Sequence, residues 1–322
     1  MGTIDRPTLR GWLGSLALAA TLLLAACAPA AVTPPASPHT GKPQVVVTTT
    51  LAGDVVRQVG GDTIDLHVLL PVGADPHNFT PTPQEIAAVA RADVIFTVGL
   101  GLETFMEPLL ANAGSQARVV VLSDGIAALT PAAQPAEASG EADHAAAAVD
   151  PHVWFDPNNV AVWADNAARA LSAIDPAHAD AYQANAAHYR QELQALDRWI
   201  TEQVASIPAA NRQLVTDHLV FSYFAQRYGF KQVGALVPSY STLAEPSAQE
   251  LAALEDAIRR TGVKAILLGN TVNPALAERV AGDTGIRLVQ LYTGSLTAPG
   301  GEADSYLAFM RYDVRAIVEA LR

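Results

Sequence analysis

The sequence predicts an α/β protein of two lobes, each with a parallel sheet, joined by one long helix, with any ligand held in the cleft between the lobes. Three observations predict it. The 322 residues exceed what one hydrophobic core usually organises. Short apolar runs alternate with helical patterns in both halves of the chain, as a parallel sheet covered on both faces requires. Between the halves runs a long helical stretch, from about Asn158 to Ile207, broken only at Asp175-Pro176.

Residues 1–26 read as an export signal. Arg6 and Arg10 precede the apolar run "GWLGSLALAATLLLAA", which is too short and wrongly flanked for a stable membrane span. The run ends in Leu24-Ala25-Ala26-Cys27, similar to a bacterial lipobox whose cysteine becomes lipidated after cleavage. Cys27 is the sole cysteine, so an internal disulfide is excluded. Residues 27–43 hold proline, alanine, serine and threonine without periodicity, as a flexible tether would.

The first lobe is expected over residues 44–157. Its strand-like runs are "VVVTTT" (45–50), "DLHVLL" (65–70), "DVIFTVG" (93–99) and "RVVVL" (118–122). Thr82-Pro83-Gln84-Glu85 supplies a helix N-cap, a proline at the first helical position and a capping-box glutamate. Residues 129–149 break the alternation with low-complexity sequence and predict a mobile loop. The helical connector occupies 158–207. The second lobe, 208–322, carries the runs "QLVTD" (213–217), "FKQVGAL" (230–236), "VKAILLG" (263–269) and "IRLVQLY" (286–292), with helix starts at Ser247 and Asn273-Pro274 and a closing helix over 304–321.

A net charge of −12 leaves no basic footprint for nucleic acid. Ligands of parallel sheets bind beyond the carboxyl ends of strands, and three of the eight histidines fall at such edges. His77 follows the run 65–70 in "GADPHNF", His152 lies in "DPHVWFDP", and His218 directly follows "QLVTD". Three neutral imidazoles suit Zn2+ at about 2.0–2.1 Å each. Both His77 and His152 follow an Asp-Pro pair. The proline stiffens the corner from which the histidine leaves, and Asp75 or Asp150 is placed to receive the proton of the non-ligating ring nitrogen. His39, His67, His144, His178 and His188 fall in the tether, a strand, the acidic loop and the connector, positions that suit surface or strand histidines. His144, in a mobile loop, could also help capture metal.

Gly99-Leu100-Gly101 opens a helix after a strand, with Asp124 near the end of the next strand, and invites a dinucleotide reading. Thr104 at the third glycine position and the export signal argue against it. Residues 1–322 hold no His-Glu-x-x-His helix, no phosphate-binding loop with lysine and no Gly-x-Ser-x-Gly elbow.

From about Gln44 to Leu321 the chain resembles the zinc- and manganese-binding substrate-binding lipoproteins of bacterial ABC importers. The likeness rests on "GADPHNFTPTPQEI", "GLGLETFM", "DPHVWFDP", "TDHLVFSYFAQRYGF", "EPSAQEL" and "LYTGSL…GGEADSYLAFMRYDV". It implies two lobes of Rossmann-like topology, a metal at their interface, small shape changes on binding, and delivery of the ion to a membrane permease driven by an ATPase. The protein is then a lipid-anchored, extracytoplasmic monomer without catalytic turnover, in the periplasm or on the cell surface. The family's metal histidines fall on His77, His152 and His218. Manganese members often carry glutamate at the third position, so His218 implies Zn2+, with Mn2+ or Fe2+ as alternatives. Where many members carry a fourth-ligand aspartate, this chain has Gly294, so either water or an acid such as Glu245 or Asp304 would complete the site. The loop 129–149 holds one histidine where zinc members often have many.

Neutral imidazoles must shed protons to bind metal, so affinity is expected to fall as pH drops through about 6.5. Two other functions fit three histidines: a zinc hydrolase, which needs a general base and a substrate pocket, and a metal-dependent adhesin.

Overall fold

The structure, a computed structural model, describes Gly2 and residues 41–130 and 149–322. Cys27, His39, His144, nearly all of the expected leader and most of the tether and of the loop 129–149 lie outside the described residues. Among the described residues no helix is long and apolar enough to cross a membrane.

Two four-stranded parallel sheets carry the fold. The first comprises β1 (Gln44–Val47), β2 (Asp65–Val68), β3 (Val94–Thr97) and β4 (Arg118–Val121) in the order β2-β1-β3-β4. The second comprises β5 (Gln213–His218), β6 (Lys231–Val237), β7 (Ala265–Gly269) and β8 (Arg287–Leu291) in the order β6-β5-β7-β8. The order is the same in both. Each sheet therefore reverses its winding between its first and third strands, at β1/β3 and β5/β7, and opens a crevice there.

Each expected run contains a strand, and one boundary differs for a clear reason. β1 stops at Val47 because the Thr49 hydroxyl accepts from the Ala52 amide at 3.2 Å and starts a helix at Thr50. The helices are α1 (Thr50–Gly60), α2 (Pro83–Arg91), α3 (Met106–Ala113), α4 (Pro157–Ile174), α5 (Ala179–Ala205), α6 (Ser222–Tyr228), α7 (Ala248–Thr261), α8 (Ala275–Thr284) and α9 (Tyr306–Leu321). Capping boxes start α2 at Thr82 with Glu85 and α7 at Ser247 with Glu250. At Asp175-Pro176 the chain makes a 3-10 turn over Pro176–His178 between α4 and α5. α5, at 27 residues, is about 40 Å long.

Three apolar clusters fill the interior. One lies between the first sheet and α2 and α3, with Val46, Ile95, Val89 and Leu109. A second lies between the second sheet and α7 and α8, with Val215, Ile266, Leu254 and Val280. The third is continuous across the molecule. It joins Val47 and Phe96 of the first sheet, Trp163 of α4, Tyr189 and Leu196 of α5, Leu267 and Leu291 of the second sheet, and Phe309 and Ile317 of α9. α5 packs on α4, α1 and α9. The amide of Tyr306, first residue of α9, donates to Asp54 of α1 at 2.9 Å. Both sheets thus share one core, and each aliphatic side chain fully buried in it contributes about 1.5–3 kcal/mol.

Candidate metal centre

The three sequence-predicted histidines meet at one point. His77 comes from the loop after β2, His152 from the segment before α4, and His218 is the last residue of β5, at the winding reversal of the second sheet. Their relative exposures are 8%, 1% and 3%. The Nε2 atom of His152 lies 3.2 Å from that of His77 and 3.3 Å from that of His218. One ring nitrogen from each of the three falls within 4.8 Å of the others. A tetrahedron of 2.0–2.1 Å zinc–nitrogen bonds has edges of about 3.3–3.4 Å, so the two short separations fit its edges.

The Asp-Pro-His repeat has a local explanation. In both copies the aspartate Oδ1 accepts the backbone N–H of the histidine two residues on, at 2.9 Å for Asp75 and His77 and at 2.9 Å for Asp150 and His152. This is an Asx turn, and the intervening proline removes a competing donor and fixes φ. Beyond that turn the copies differ. Asp150 Oδ1 also receives the ring Nδ1–H of His152 at 2.8 Å. Asp75 makes no such contact: its Oδ2 accepts from the Thr242 hydroxyl at 2.5 Å. The ring-orienting role expected of either aspartate therefore falls to Asp150 alone, because the Asp75 carboxylate is turned toward the opposite lobe.

His218 has a ring partner that the sequence reading missed. Asp217 Oδ1 lies 2.6 Å from both the backbone nitrogen and Nδ1 of His218, and its Oδ2 accepts the Gly269 amide at 2.6 Å. The available signal was the acid next to a predicted histidine, read instead as the end of a strand. With Nδ1–H donated to a carboxylate, His152 and His218 each keep the Nε2 lone pair, and two acceptors 3.3 Å apart form a donor set for a cation.

The surroundings are built from both lobes. A cavity of about 10 Å³ is lined by Asp75, the three histidines, Trp154, Thr271, Thr293 and Gly294 among others, room for one ion or one water. The Trp154 indole packs edge-on to His152, and its Nε1–H donates to the Thr293 carbonyl at 3.0 Å. Tyr223 of α6 accepts from the Leu129 amide and donates to the Asp150 carbonyl, each at 3.0 Å, which fixes the chain just ahead of His152. Neither Glu245 nor Asp304 lines the cavity. Both are exposed, and Asp304 Oδ2 accepts the Gly300 amide at 2.9 Å, so, against expectation, neither acid stands where a fourth ligand would. Gly294 does face the cavity, and a Cβ there would stand 3.0 Å from Pro76 Cδ and 3.1 Å from Thr271 Oγ1.

The Gly99-Leu100-Gly101 turn is occupied by the protein itself. Glu103 accepts the Val98 amide and the Thr48 hydroxyl on Oε1, at 2.6 and 2.7 Å, and the Gly99 amide on Oε2 at 3.0 Å. Those amides are the ones a phosphate would need. Of the remaining described histidines, His178 Nδ1 lies 2.7 Å from Asp175 Oδ2, and His67 and His188 lie on β2 and α5, away from the cavity.

Burial, with the neighbouring imidazoles of His152 and His218, lowers the His77 pKa to about 2. Burial lowers that of His152 as well, against the opposing pull of Asp150. Proton competition at these two rings therefore begins below the pH of about 6.5 expected for ordinary imidazoles. In the unfolded chain both rings titrate near 6.5, so below that pH the unfolded state binds protons that the folded state refuses. The metal-free protein is expected to lose about 1 kcal/mol per pH unit at His77 as pH falls from 6.5, with a contribution of the same sign from His152. Thermal melts at pH 7.5 and 5.5 check this: His77→Gln should remove about 1 kcal/mol of the pH dependence, roughly 2 °C.

Two parallel sheets sharing one core, with three imidazoles converging between them, define the two-lobed metal-binding class of α/β proteins. The chain belongs to the family described as ZnuA, zinc-uptake complex component A periplasmic, whose model matches residues 45–320. It is 31% identical over 279 residues to the manganese-binding lipoprotein MntA of Halalkalibacterium halodurans, covering 86% of this chain and 88% of that one. It is 31% identical over 315 residues to the metal ABC transporter substrate-binding lipoprotein ScbA of Streptococcus cristatus, covering 95% and 97%. Among solved structures, the periplasmic zinc binding protein TroA of Treponema pallidum superposes with a TM-score of 0.76 at 27% identity, covering 87% of this chain and 99% of that one.

Proposed function

We propose that the protein captures a divalent metal ion outside the cytoplasmic membrane and delivers it to the permease of an ABC importer driven by its ATPase. It is the substrate-binding component of that importer and performs no catalytic turnover. His77, His152 and His218 hold the ion, which is Zn2+ in preference to Mn2+. The observation that carries this reading is the convergence of three Nε2 atoms from separate parts of the chain at 3.2 and 3.3 Å. Names of relatives support the importer assignment and the extracytoplasmic location. The name of ScbA as a lipoprotein supports anchoring through Cys27. In this reading residues 44–157 and 208–322 act as the lobes about a connector, 158–207, and the protein works as a monomer.

The donor chemistry favours zinc. Imidazole suits zinc, whereas manganese prefers carboxylate, carbonyl and water oxygens and stands lowest in the affinity order. Asp75, the carboxylate at the cavity, has both oxygens engaged by His77 and Thr242, and Gly294 offers no donor. Water at the fourth position completes a tetrahedron. The same facts disfavour a hydrolase: no carboxylate among the described lining residues is free to act as base. The manganese named for MntA is the rival cargo.

Competitive titration of the metal-free protein against a chromogenic chelator tests the preference. Zinc is expected to bind tighter than manganese by on the order of 100-fold, and equal or tighter manganese binding overturns it. Gly294→Asp, which adds an oxygen donor beside the cavity, is expected to narrow the ratio about tenfold.

A further inference from the structure

The loop carrying His77 is held to the opposite lobe at three points. The Gly73 amide donates to Ser295 Oγ at 2.8 Å. The Pro76 ring lies against Gly294, where a Cβ would come within 3.0 Å. Asp75 Oδ2 accepts from the hydroxyl of Thr242, 167 residues further along, in the loop after β6. The third contact differs in kind because the same carboxylate holds His77: its other oxygen accepts the His77 amide at 2.9 Å.

His77 also differs from its two companions in how its ring is placed. Asp150 and Asp217 grip the Nδ1 atoms of His152 and His218 directly. Asp75 reaches only the backbone of His77, so the position of this ring follows the position of its loop. A hydrogen bond anchoring that loop across the cleft therefore bears on the ligand itself, in a way that anchoring the loops of His152 or His218 would not.

Resting on the metal-capture reading above, we propose that Thr242 is a positioning residue for metal retention. Through Asp75 it holds His77 over the ion from the other lobe, and loss of the Thr242–Asp75 hydrogen bond is the step that lets this ligand swing away and the ion leave. Thr242 touches no metal in this scheme. Its effect falls on the departure rate, because the other two rings still form the landing site for an arriving ion.

The test uses the full chain loaded with Zn2+ alone and stopped-flow release into excess chelator. Thr242→Val keeps the side-chain volume and deletes the hydroxyl; it is expected to speed zinc dissociation about tenfold, the usual consequence of losing one hydrogen bond to a charged acceptor, with association within about twofold of the parent. Thr242→Ser restores the hydroxyl and is expected to return the slow release. The metal-free Thr242→Val protein is expected to melt a few degrees below the parent, the folding cost of the same hydrogen bond, and to stay folded at the assay temperature, which separates retention from folding. Release from Thr242→Val within twofold of the parent overturns the proposal, as does fast release from Thr242→Ser, or a lowered melting temperature without faster release. If the parent itself fails to bind zinc, the metal-capture reading fails instead.

Discussion

His152→Ala is expected to weaken zinc binding by more than about 100-fold, beyond the 10–100-fold that loss of a residue supporting a ligand typically costs. His152 is the middle donor, within 3.2 Å of one Nε2 and 3.3 Å of the other. Removing it leaves His77 and His218 to span the ion as a pair. The readout is thermal as well as calorimetric. Zinc at 100 times its Kd stabilises the parent by about 2.7 kcal/mol, and the variant should lose nearly all of that shift. A variant that keeps the zinc-dependent rise in melting temperature would remove His152 from the site. The His152 ring is buried against Trp154, so the metal-free variant also carries a cavity; the comparison that counts is therefore the zinc-induced shift within each protein.

The second large effect is expected at Asp217, and its size relative to Asp150 follows from geometry. Asp217 uses both oxygens as acceptors, Oδ1 toward His218 and Oδ2 toward the Gly269 amide. An asparagine must turn its NH2 to one of them. Facing Gly269, it sets donor against donor in a buried place; facing His218, it forces the imidazole proton onto Nε2, where the lone pair is needed. Either way Asp217→Asn should lower zinc affinity 10–100-fold. Asp150 is different, because its Oδ2 is buried with no hydrogen-bond partner among the described residues, and Asp150→Asn can direct its NH2 there and still accept from His152. It should cost markedly less than Asp217→Asn. Equal losses in the two variants would refute this account of ring orientation.

Much of this architecture was legible because it is written in local patterns. Apolar runs separated by helices predicted two parallel sheets, and Thr82-Pro83-Gln84-Glu85 announced the start of α2. The end of β1 was not legible, since Thr48, Thr49 and Thr50 are all β-branched and only the folded chain shows the Thr49 side chain capping α1. His77 and His218 are legible from their positions after strands, and His152 from the Asp-Pro-His tripeptide it shares with His77 in the loop leaving the first lobe. What escaped is what depends on the partner lobe. Asp75 and Asp150 stand in identical tripeptides, yet Asp150 orients a ring and Asp75 reaches Thr242, and their flanking residues, which differ, carry no signal of which does which. Thr242, Thr271 and Thr293 carry no motif and reach the cleft only through tertiary structure. The pH behaviour escaped for the same reason, because it comes from enclosure and from the nearness of like rings rather than from residue type.

The apolar cluster running unbroken from Val47 through α5 to Ile317 has a mechanical corollary. Parting the two sheets like a jaw would have to break this shared interior, at about 25 cal/mol for each Å² of apolar surface exposed. Small displacements of surface segments leave this shared interior intact and so cost less than parting the two sheets.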